Sequence, residues 1–284
     1  MSASREYEAQ IASGVKEADA AFHTDTLLET YQNTEQLEEC IQDAVNSNAD
    51  GIIMQGISEA DSALRKAEDQ GIPVVFYDHN ESQLENAGFI SVDNQKAAED
   101  AVQFLEQQMT GEKNILIITA SADSDVLKQR MNGCAEEAAH YTDMRISEVI
   151  EDAGDELLLK EKLNQAIEEH PEINAVICLG GAGSESLGGL IREYRTEHPL
   201  TAVVFDLTEK TTEYVRDGIY QAVMMQDTKK IGYEAVQLLH GMNDRKDLSA
   251  ADLTVNIQMT TVTGDNLNDY SEALKHEKLE WNQY

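Results

Sequence analysis

The sequence has few basic residues. Its 284 residues include 21 lysines and arginines against 54 aspartates and glutamates, which gives a formal net charge of -33 at pH 7. Nucleic acids and anionic membrane surfaces attract basic protein surfaces because both are negatively charged. The charge balance therefore argues against direct binding of nucleic acid and against binding to anionic lipid. It indicates a well-solvated acidic surface.

Long apolar segments are also absent. No hydrophobic run approaches the roughly 20 residues that a membrane-spanning helix needs. The N-terminal stretch MSASREYEAQ is polar and lacks the apolar core of a secretory signal. Either the protein is cytoplasmic, or an export segment lies outside these 284 residues.

Residues that bind metals or perform catalysis are sparse or scattered. Cys40, Cys134 and Cys178 lie far apart in the sequence, so their spacing supports neither a zinc site nor a redox motif, and we expect buried free thiols. The histidines include no i, i+4 pair, and no GxSxG nucleophile motif is present. The sequence therefore predicts no metal site, no cofactor and no enzymatic activity.

One glycine-rich stretch needs a separate explanation. CLGGAGSES follows the apolar run AVI and precedes LGGLIREY, and Asp206 ends the next apolar run, AVVFD. This order resembles a dinucleotide-binding turn. However, Ser186 stands where the third glycine of that fingerprint belongs, and the turn follows a late strand of its domain. We expect either a loop that offers backbone N–H groups to a ligand or a tight structural turn.

The rest of the chain alternates between short apolar runs and helical patterns. Runs such as GIIMQG, PVVFYD, NILIIT and AVVFD are typical of parallel strands buried on both faces by crossover helices. TLLETY is a further strand candidate, and LTVNIQMTTVT alternates as an edge strand does. The pattern predicts two open α/β sheets in tandem.

The first of these sheets begins unusually. A doubly wound sheet starts with a strand that lies centrally, yet this chain enters a helical pattern almost at once. We expect that the first strand, and any export signal before it, lies outside the sequence.

Several stretches resemble one family. GIIMQGISEADSALRKAEDQGIPVVFYDHN is similar to the second βαβ unit of type 1 periplasmic sugar-binding proteins, in the ribose-binding group. FISVDNQKAAEDAVQFL and AVVFDLTEKTTEYVRDGIYQAVMMQDTKKIGYEAVQLL resemble the first and second crossovers between their lobes, and TTVTGDNLNDY resembles their closing segment. The likeness covers nearly the whole chain in order. Effector domains of lactose-repressor-type regulators share the fold.

The resemblance implies an α/β protein with two doubly wound, parallel-sheet lobes joined by a three-crossover hinge. A small polar ligand is held in the cleft between the lobes, and hinge closure presents the complex to a partner. The implied lobes are residues 1–93 with 227–253, and residues 94–226 with 254–284.

The resemblance also places ligand contacts, at Arg5, Tyr7, Asp78, His79, Arg130, Gly181, Asp206 and Gln226. Asp78 and Asp206 match ligand aspartates, Arg130 matches a ligand arginine, and Gln226 matches a glutamine at the hinge. Arg5 and Tyr7 lie in the stretch that matches a ligand-binding loop, and Tyr7 is the expected stacking platform for a sugar ring.

Two positions depart from the family pattern. His79 stands where the family has an arginine that donates two hydrogen bonds. The glycine run replaces an Asn-Asp pair, so that Gly181 can offer only backbone groups. The identity of the ligand is left open for that reason.

The predicted function is capture of a sugar or similar polyhydroxylated ligand for an ABC permease or a membrane sensor kinase, at an extracytoplasmic location. The alternative is the effector domain of a lactose-repressor-type regulator without its DNA-binding headpiece.

Overall fold

The computed structural model describes residues 5–121, 124–194, 198–244, 249 and 252–270, and the side chains of residues 5–7 and 79 lie outside this description. The described chain forms two compact units. The first contains the described residues up to Val92 together with Asp227–Ile257. The second contains Asp93–Gln226 together with the described residues from Gln258 onward. The chain therefore passes between the units three times within the described residues.

Strands and helices alternate along most of the described chain. The strands are β1 (Ile52–Gly56), β2 (Val74–Asn80), β3 (Gly88–Val92), β4 (Lys113–Thr119), β5 (Met144–Glu151), β6 (Ala175–Cys178), β7 (Thr201–Phe205), β8 (Ala222–Met225), β9 (Thr254–Ile257) and β10 (Thr260–Val262). The helices are α1 (Arg5–Phe22), α2 (Thr34–Asn46), α3 (Asp61–Asp69), α4 (Asn94–Gln108), α5 (Asp125–Ala138), α6 (Glu156–Glu169), α7 (Gly181–Tyr194), α8 (Glu209–Arg216) and α9 (Thr228–Asp244).

The first unit is built on a parallel sheet with the strand order β1-β2-β3-β9. Helix α2 begins after Asn33, whose side chain accepts a hydrogen bond from the backbone of Gln36. Leu37 and Ile41 lie one helical turn apart on α2 and pack with Phe76 of β2 in the core. Helix α9 packs on β1, β2 and β3, and α1 packs along α9.

The second unit is built on a sheet with the order β10-β8-β7-β6-β4-β5, in which only β10 is antiparallel to its neighbour. Strands β4 and β6 are buried along their whole length. Burial on both faces explains why these strands are continuous apolar runs in the sequence. We call the edge of each sheet at which its parallel strands end the carboxyl edge.

The predicted α/β class with parallel sheets is confirmed, but the predicted strand TLLETY is wrong. Residues 24–31 have no regular secondary structure, and Leu27 is 82% exposed. The Asp19 carboxylate accepts hydrogen bonds from the hydroxyls of Thr24 and Thr26, which holds the start of the segment in a turn. A strand needs the backbone of a neighbour, and no described strand pairs with this segment.

The third passage between the units also differs from the prediction. The alternating stretch LTVNIQMTTVT forms two short strands instead of one. Strand β9 pairs in parallel with β3 in the first unit, whereas β10 pairs antiparallel with β8 in the second. The predicted boundary at residues 253 and 254 is therefore too early, because the chain leaves the first unit after Ile257. Residues 271–284 of the predicted second lobe lie outside the described residues.

Within the described part of the chain, no helix combines the length and hydrophobicity needed to cross a membrane.

Close packing of α1 on α9 depends on small residues. A Cβ on Gly232 of α9 would overlap the backbone carbonyl of Ile11, whereas a Cβ on Gly241 of the same helix would meet nothing within 4 Å. Gly232→Ala should therefore lower the free energy of unfolding by about 2 kcal/mol or more, because backbone atoms must move apart. Gly241→Ala should raise it by about 0.5–1 kcal/mol through helix propensity. Urea unfolding of the two variants measures both effects, and equal effects would contradict the close contact.

The charge of -33 predicts that stability rises with ionic strength. Several basic side chains are already paired, including Lys96, Lys113, Lys160 and Arg192, and the 54 acidic residues far outnumber the 21 basic ones. Salt screens the repulsion between the acidic groups, and the Debye length falls from about 30 Å to about 3 Å between 0.01 M and 1 M. We expect Tm to rise by the same amount in NaCl and KCl over this range. A constant or falling Tm would show that repulsion does not limit stability.

Candidate functional site

Asp78 lies near the end of β2, at the carboxyl edge of the first sheet. Gln55 of β1 pairs with Tyr77, but Gly56 pairs with Asn80, so the two residues between them form a bulge. Asp78 has a φ of 69°, in the left-handed region that residues other than glycine, asparagine and aspartate rarely occupy. The Gln55 amide donates to Asp78 Oδ2 at 3.1 Å. This bond helps to orient the carboxylate.

Tyr77 directly precedes Asp78, and Tyr31 interacts with Tyr77 through its charge; neither tyrosine was predicted from the sequence as a site residue. Burial is the main cause that raises the pKa of Tyr77 to about 12, and Tyr31, Asp78 and Glu8 add to the shift through their charge. Tyr31 is 40% exposed. An aromatic ring can pack on the apolar face of a sugar ring. The position of Tyr77 directly before Asp78 in VVFYD is the signal that could have identified it.

Asp206 follows β7, at the carboxyl edge of the second sheet. Its φ is also 69°. The backbone N–H of Asp206 donates to the carbonyl of Met224 at 3.1 Å, and its own carbonyl accepts from the Thr211 hydroxyl at 3.0 Å. Thr211 belongs to the capping box that Thr208 begins at the start of α8. Hydrogen bonds from its N–H and to its carbonyl thus hold Asp206 in the left-handed conformation.

Arg130 lies at the same edge of the second sheet, with 5% of its surface exposed. Its Nε donates to Asn94 Oδ1 at 2.9 Å, and its Nη1 donates to the carbonyl of Leu179 at 2.6 Å. The guanidinium carbon stands 4.3 Å from the centre of the Phe205 ring. These contacts hold the guanidinium plane in one orientation, next to Leu179, which follows β6, and Phe205, the last residue of β7.

The glycine run makes room for carboxylates. Gly181 is the first residue of α7, and a Cβ there would lie 2.9 Å from Asp206 Oδ2. A Cβ on Gly183 would collide with the Asp152 carboxylate and would lie 2.9 Å from Cys178 Sγ. Acidic groups therefore already surround the start of this helix. This arrangement disfavours the binding of a phosphate group there.

Asp152 is a further residue at this edge that was not predicted from the sequence. It follows β5 and is 1% exposed. Its backbone N–H donates to the carbonyl of Thr119 at 2.9 Å, and its Oδ1 accepts from the N–H of Gly154 at 2.9 Å. Desolvation raises the pKa of the Asp152 carboxyl. Because Asp152 is buried, its role at this edge is structural. No sequence motif predicts this role.

The remaining predicted site residues take several positions. Gln226 follows β8 and is half-buried. It lies at the carboxyl edge of the second sheet, as do Arg130, Gly181 and Asp206. His79 follows Asp78 within β2, and its side chain lies outside the described residues. Arg5 and Tyr7 belong to the start of helix α1, where a loop was expected, and their side chains are likewise outside the description.

The cysteines are free thiols, as the sequence predicts, but they are not all buried. Burial raises the pKa of Cys134 and of Cys178 to about 12, so both are unreactive near neutral pH. Cys40 is only partly buried, since it lies on the outer side of α2. No group of three or more histidine, cysteine, aspartate or glutamate side chains is arranged to hold a metal among the residues that the structure describes.

Comparison with known proteins gives one family and many similar structures. A family model described as "Periplasmic binding protein domain" matches residues 1–246. A search of curated proteins found no match. The match to the family model confirms the resemblance to type 1 periplasmic binding proteins.

Three solved structures illustrate the fold. A sugar-binding protein of a sugar ABC transporter from Bacillus halodurans has a TM-score of 0.83 at 21% identity, over 94% of this chain and 96% of that chain. The arabinose-binding protein AraP from Geobacillus stearothermophilus has a TM-score of 0.80 at 20% identity, over 93% and 94%. An ABC transporter periplasmic solute-binding protein from Actinobacillus succinogenes with bound D-allose has a TM-score of 0.78 at 18% identity, over 95% and 97%. At these identities the likeness establishes the shared fold.

The contacts of Arg130 predict that lysine cannot replace it. Arg130→Lys removes the planar group that donates to Asn94 and Leu179 and stacks on Phe205. We expect the free energy of unfolding to fall by about 2 kcal/mol, since a buried carbonyl or amide oxygen loses its donor. Chemical unfolding measures this loss.

Arg192→Lys is the matched control for this variant. Arg192 pairs with Asp217 at 2.6 Å, but its side chain is 54% exposed, so this change should cost less than about 0.5 kcal/mol. Equal losses in the two variants would show that the contacts of Arg130 add nothing to stability.

Proposed function

Because the chain belongs to the periplasmic binding protein domain family, we propose that it is a solute-binding protein that captures a sugar or a similar small polyhydroxylated ligand for an ABC transporter. The role is binding, with no bond made or broken. Two of the three similar structures are sugar-binding proteins by name, and the third holds D-allose. We propose an extracytoplasmic location for the same reason, since proteins of this family take their name from the periplasm.

The observation that carries this proposal is the pair of aspartates at the ends of strands. Asp78 and Asp206 lie at the carboxyl edges of two separate parallel sheets, and each has a φ of 69°. A non-glycine residue in this conformation costs about 1 kcal/mol or more, and such strain is concentrated at functional sites. The same unusual backbone at matching places in both units favours a shared role in binding.

The chemistry of these groups fits sugar hydroxyls. A carboxylate has two oxygens and can accept hydrogen bonds from two neighbouring hydroxyls. Arg130 supplies donors from a guanidinium that Asn94, Leu179 and Phe205 hold in place. Carbohydrate recognition depends on such fixed, charge-assisted hydrogen bonds, because water competes for every hydroxyl.

Thermal denaturation with a sugar panel tests the proposal. The panel contains D-glucose, D-galactose, D-arabinose and D-allose, each added to the purified protein at increasing concentration. A sugar at 100 times its Kd should stabilise the folded state by about 2.7 kcal/mol and raise Tm accordingly. Asp78→Ala and Asp206→Ala should each abolish most of this rise, because each removes a charged acceptor.

Asp50→Ala is the control for loss of charge. Asp50 is exposed and precedes β1, so it lies at the opposite end of the sheet from Asp78. This variant should keep the full rise in Tm. The proposal fails if no sugar raises Tm, or if both strand-end variants respond like the wild type.

A further inference from the structure

The glycine at the start of α7 is in direct contact with a candidate ligand-binding carboxylate. A Cβ on Gly181 would lie 2.9 Å from Oδ2, 3.6 Å from Cγ and 3.4 Å from Cβ of Asp206. The Asp206 side chain therefore lies along the open face of Gly181 over its whole length. Any larger residue at position 181 would have to push the carboxylate aside.

Two hydrogen bonds hold the backbone of Asp206 against such a displacement. Its φ of 69° is held by the hydrogen bond to Met224 on one side and by the hydroxyl of Thr211 on the other. Phe205, which precedes it, is fully buried, and its ring centre lies 4.3 Å from the guanidinium carbon of Arg130. The carboxylate is the flexible end of this contact, so we expect it to rotate, and rotation changes where the carboxylate oxygens point.

Glycines near Gly181 do not share this arrangement. A Cβ on Gly180 would meet only Leu127 Cδ2, at 3.9 Å, and a Cβ on Gly189, further along α7, would meet only the Tyr214 hydroxyl, at 3.7 Å. Both distances are ordinary van der Waals contacts. Gly183 makes room for Asp152, which is buried below the edge. Gly181 is therefore the glycine of this stretch whose missing side chain gives space to Asp206.

We propose that Gly181 is a positioning residue for the Asp206 carboxylate. This proposal rests on the proposed function, in which Asp206 accepts hydrogen bonds from the ligand. The glycine run does not supply a phosphate-binding loop. Its contribution is a free surface that lets the carboxylate lie against the first residue of a helix, where the positive end of the helix dipole also favours its negative charge.

Crystal structures of two variants test the positioning without any ligand. In Gly181→Ala the Asp206 carboxylate should rotate away from its wild-type position, while the backbone of residues 205 and 206 stays in place. In Gly189→Ala, which adds a methyl group to the same helix, the carboxylate should not move. An unmoved carboxylate in Gly181→Ala would overturn the proposal.

A double-mutant cycle tests the consequence for binding. Isothermal titration uses the sugar of the panel that gives the largest rise in Tm, with Gly181→Ala, Asp206→Ala and the double variant. Gly181→Ala should weaken binding by about tenfold, the loss typical of a misplaced hydrogen bond to a charged group. In the Asp206→Ala background the same change should weaken binding less than about twofold, because the carboxylate it would displace is gone. Gly189→Ala should bind like the wild type.

The outcomes separate this proposal from the proposed function. Additive losses in the cycle would mean that Gly181 acts on the ligand directly, which overturns a positioning role. Wild-type affinity in Gly181→Ala would overturn it as well. If no sugar in the panel binds the wild type but the carboxylate rotates in the crystal, the positioning stands and the proposed function fails.

Discussion

Parallel pairing of buried strands is the constraint on which the rest of the structure depends. Parallel strands end at the same edge of a sheet, so every residue that follows a strand is brought to that edge. In the second unit this constraint gathers groups from four separate strands, namely Asp152, Gly181, Asp206 and Gln226. Hydrophobic burial of the strands thus determines where the polar chemistry lies.

The groups at these edges are held more tightly than residues in loops usually are. Asp206 keeps a left-handed backbone through bonds to Met224 and Thr211, and Arg130 is held by Asn94, Leu179 and a ring contact. A site that is ordered before its ligand arrives loses less conformational entropy on binding. For the proposed sugar ligand, whose hydroxyls also bind water well, such preorganisation would lower the free-energy cost of binding.

The sequence predicted the strands and most strand-end residues, but it could not predict relationships between distant side chains. Apolar runs such as NILIIT and AVVFD became buried strands because helices cover both faces. TLLETY was also a strand candidate, but no described strand pairs with it, and a pattern of residues does not show whether a partner exists. The role of Gly181 depends on Asp206, which arrives from another strand, so no spacing within CLGGAGSES reveals it. Asp152 was missed because burial, and not its sequence context, makes it unusual.

The overall charge further restricts the class of ligand that fits the proposed function. A protein with a net charge of -33 repels anions at long range, and Asp78 and Asp206 each add a carboxylate at the carboxyl edge of their own sheet. A phosphorylated or carboxylated sugar would meet this repulsion, and the guanidinium of Arg130 would offset only part of it. A neutral polyol meets no such penalty, and its hydroxyls can donate hydrogen bonds to a carboxylate. The same acidic composition that argues against nucleic acid as a partner therefore favours an uncharged sugar over its phosphate ester.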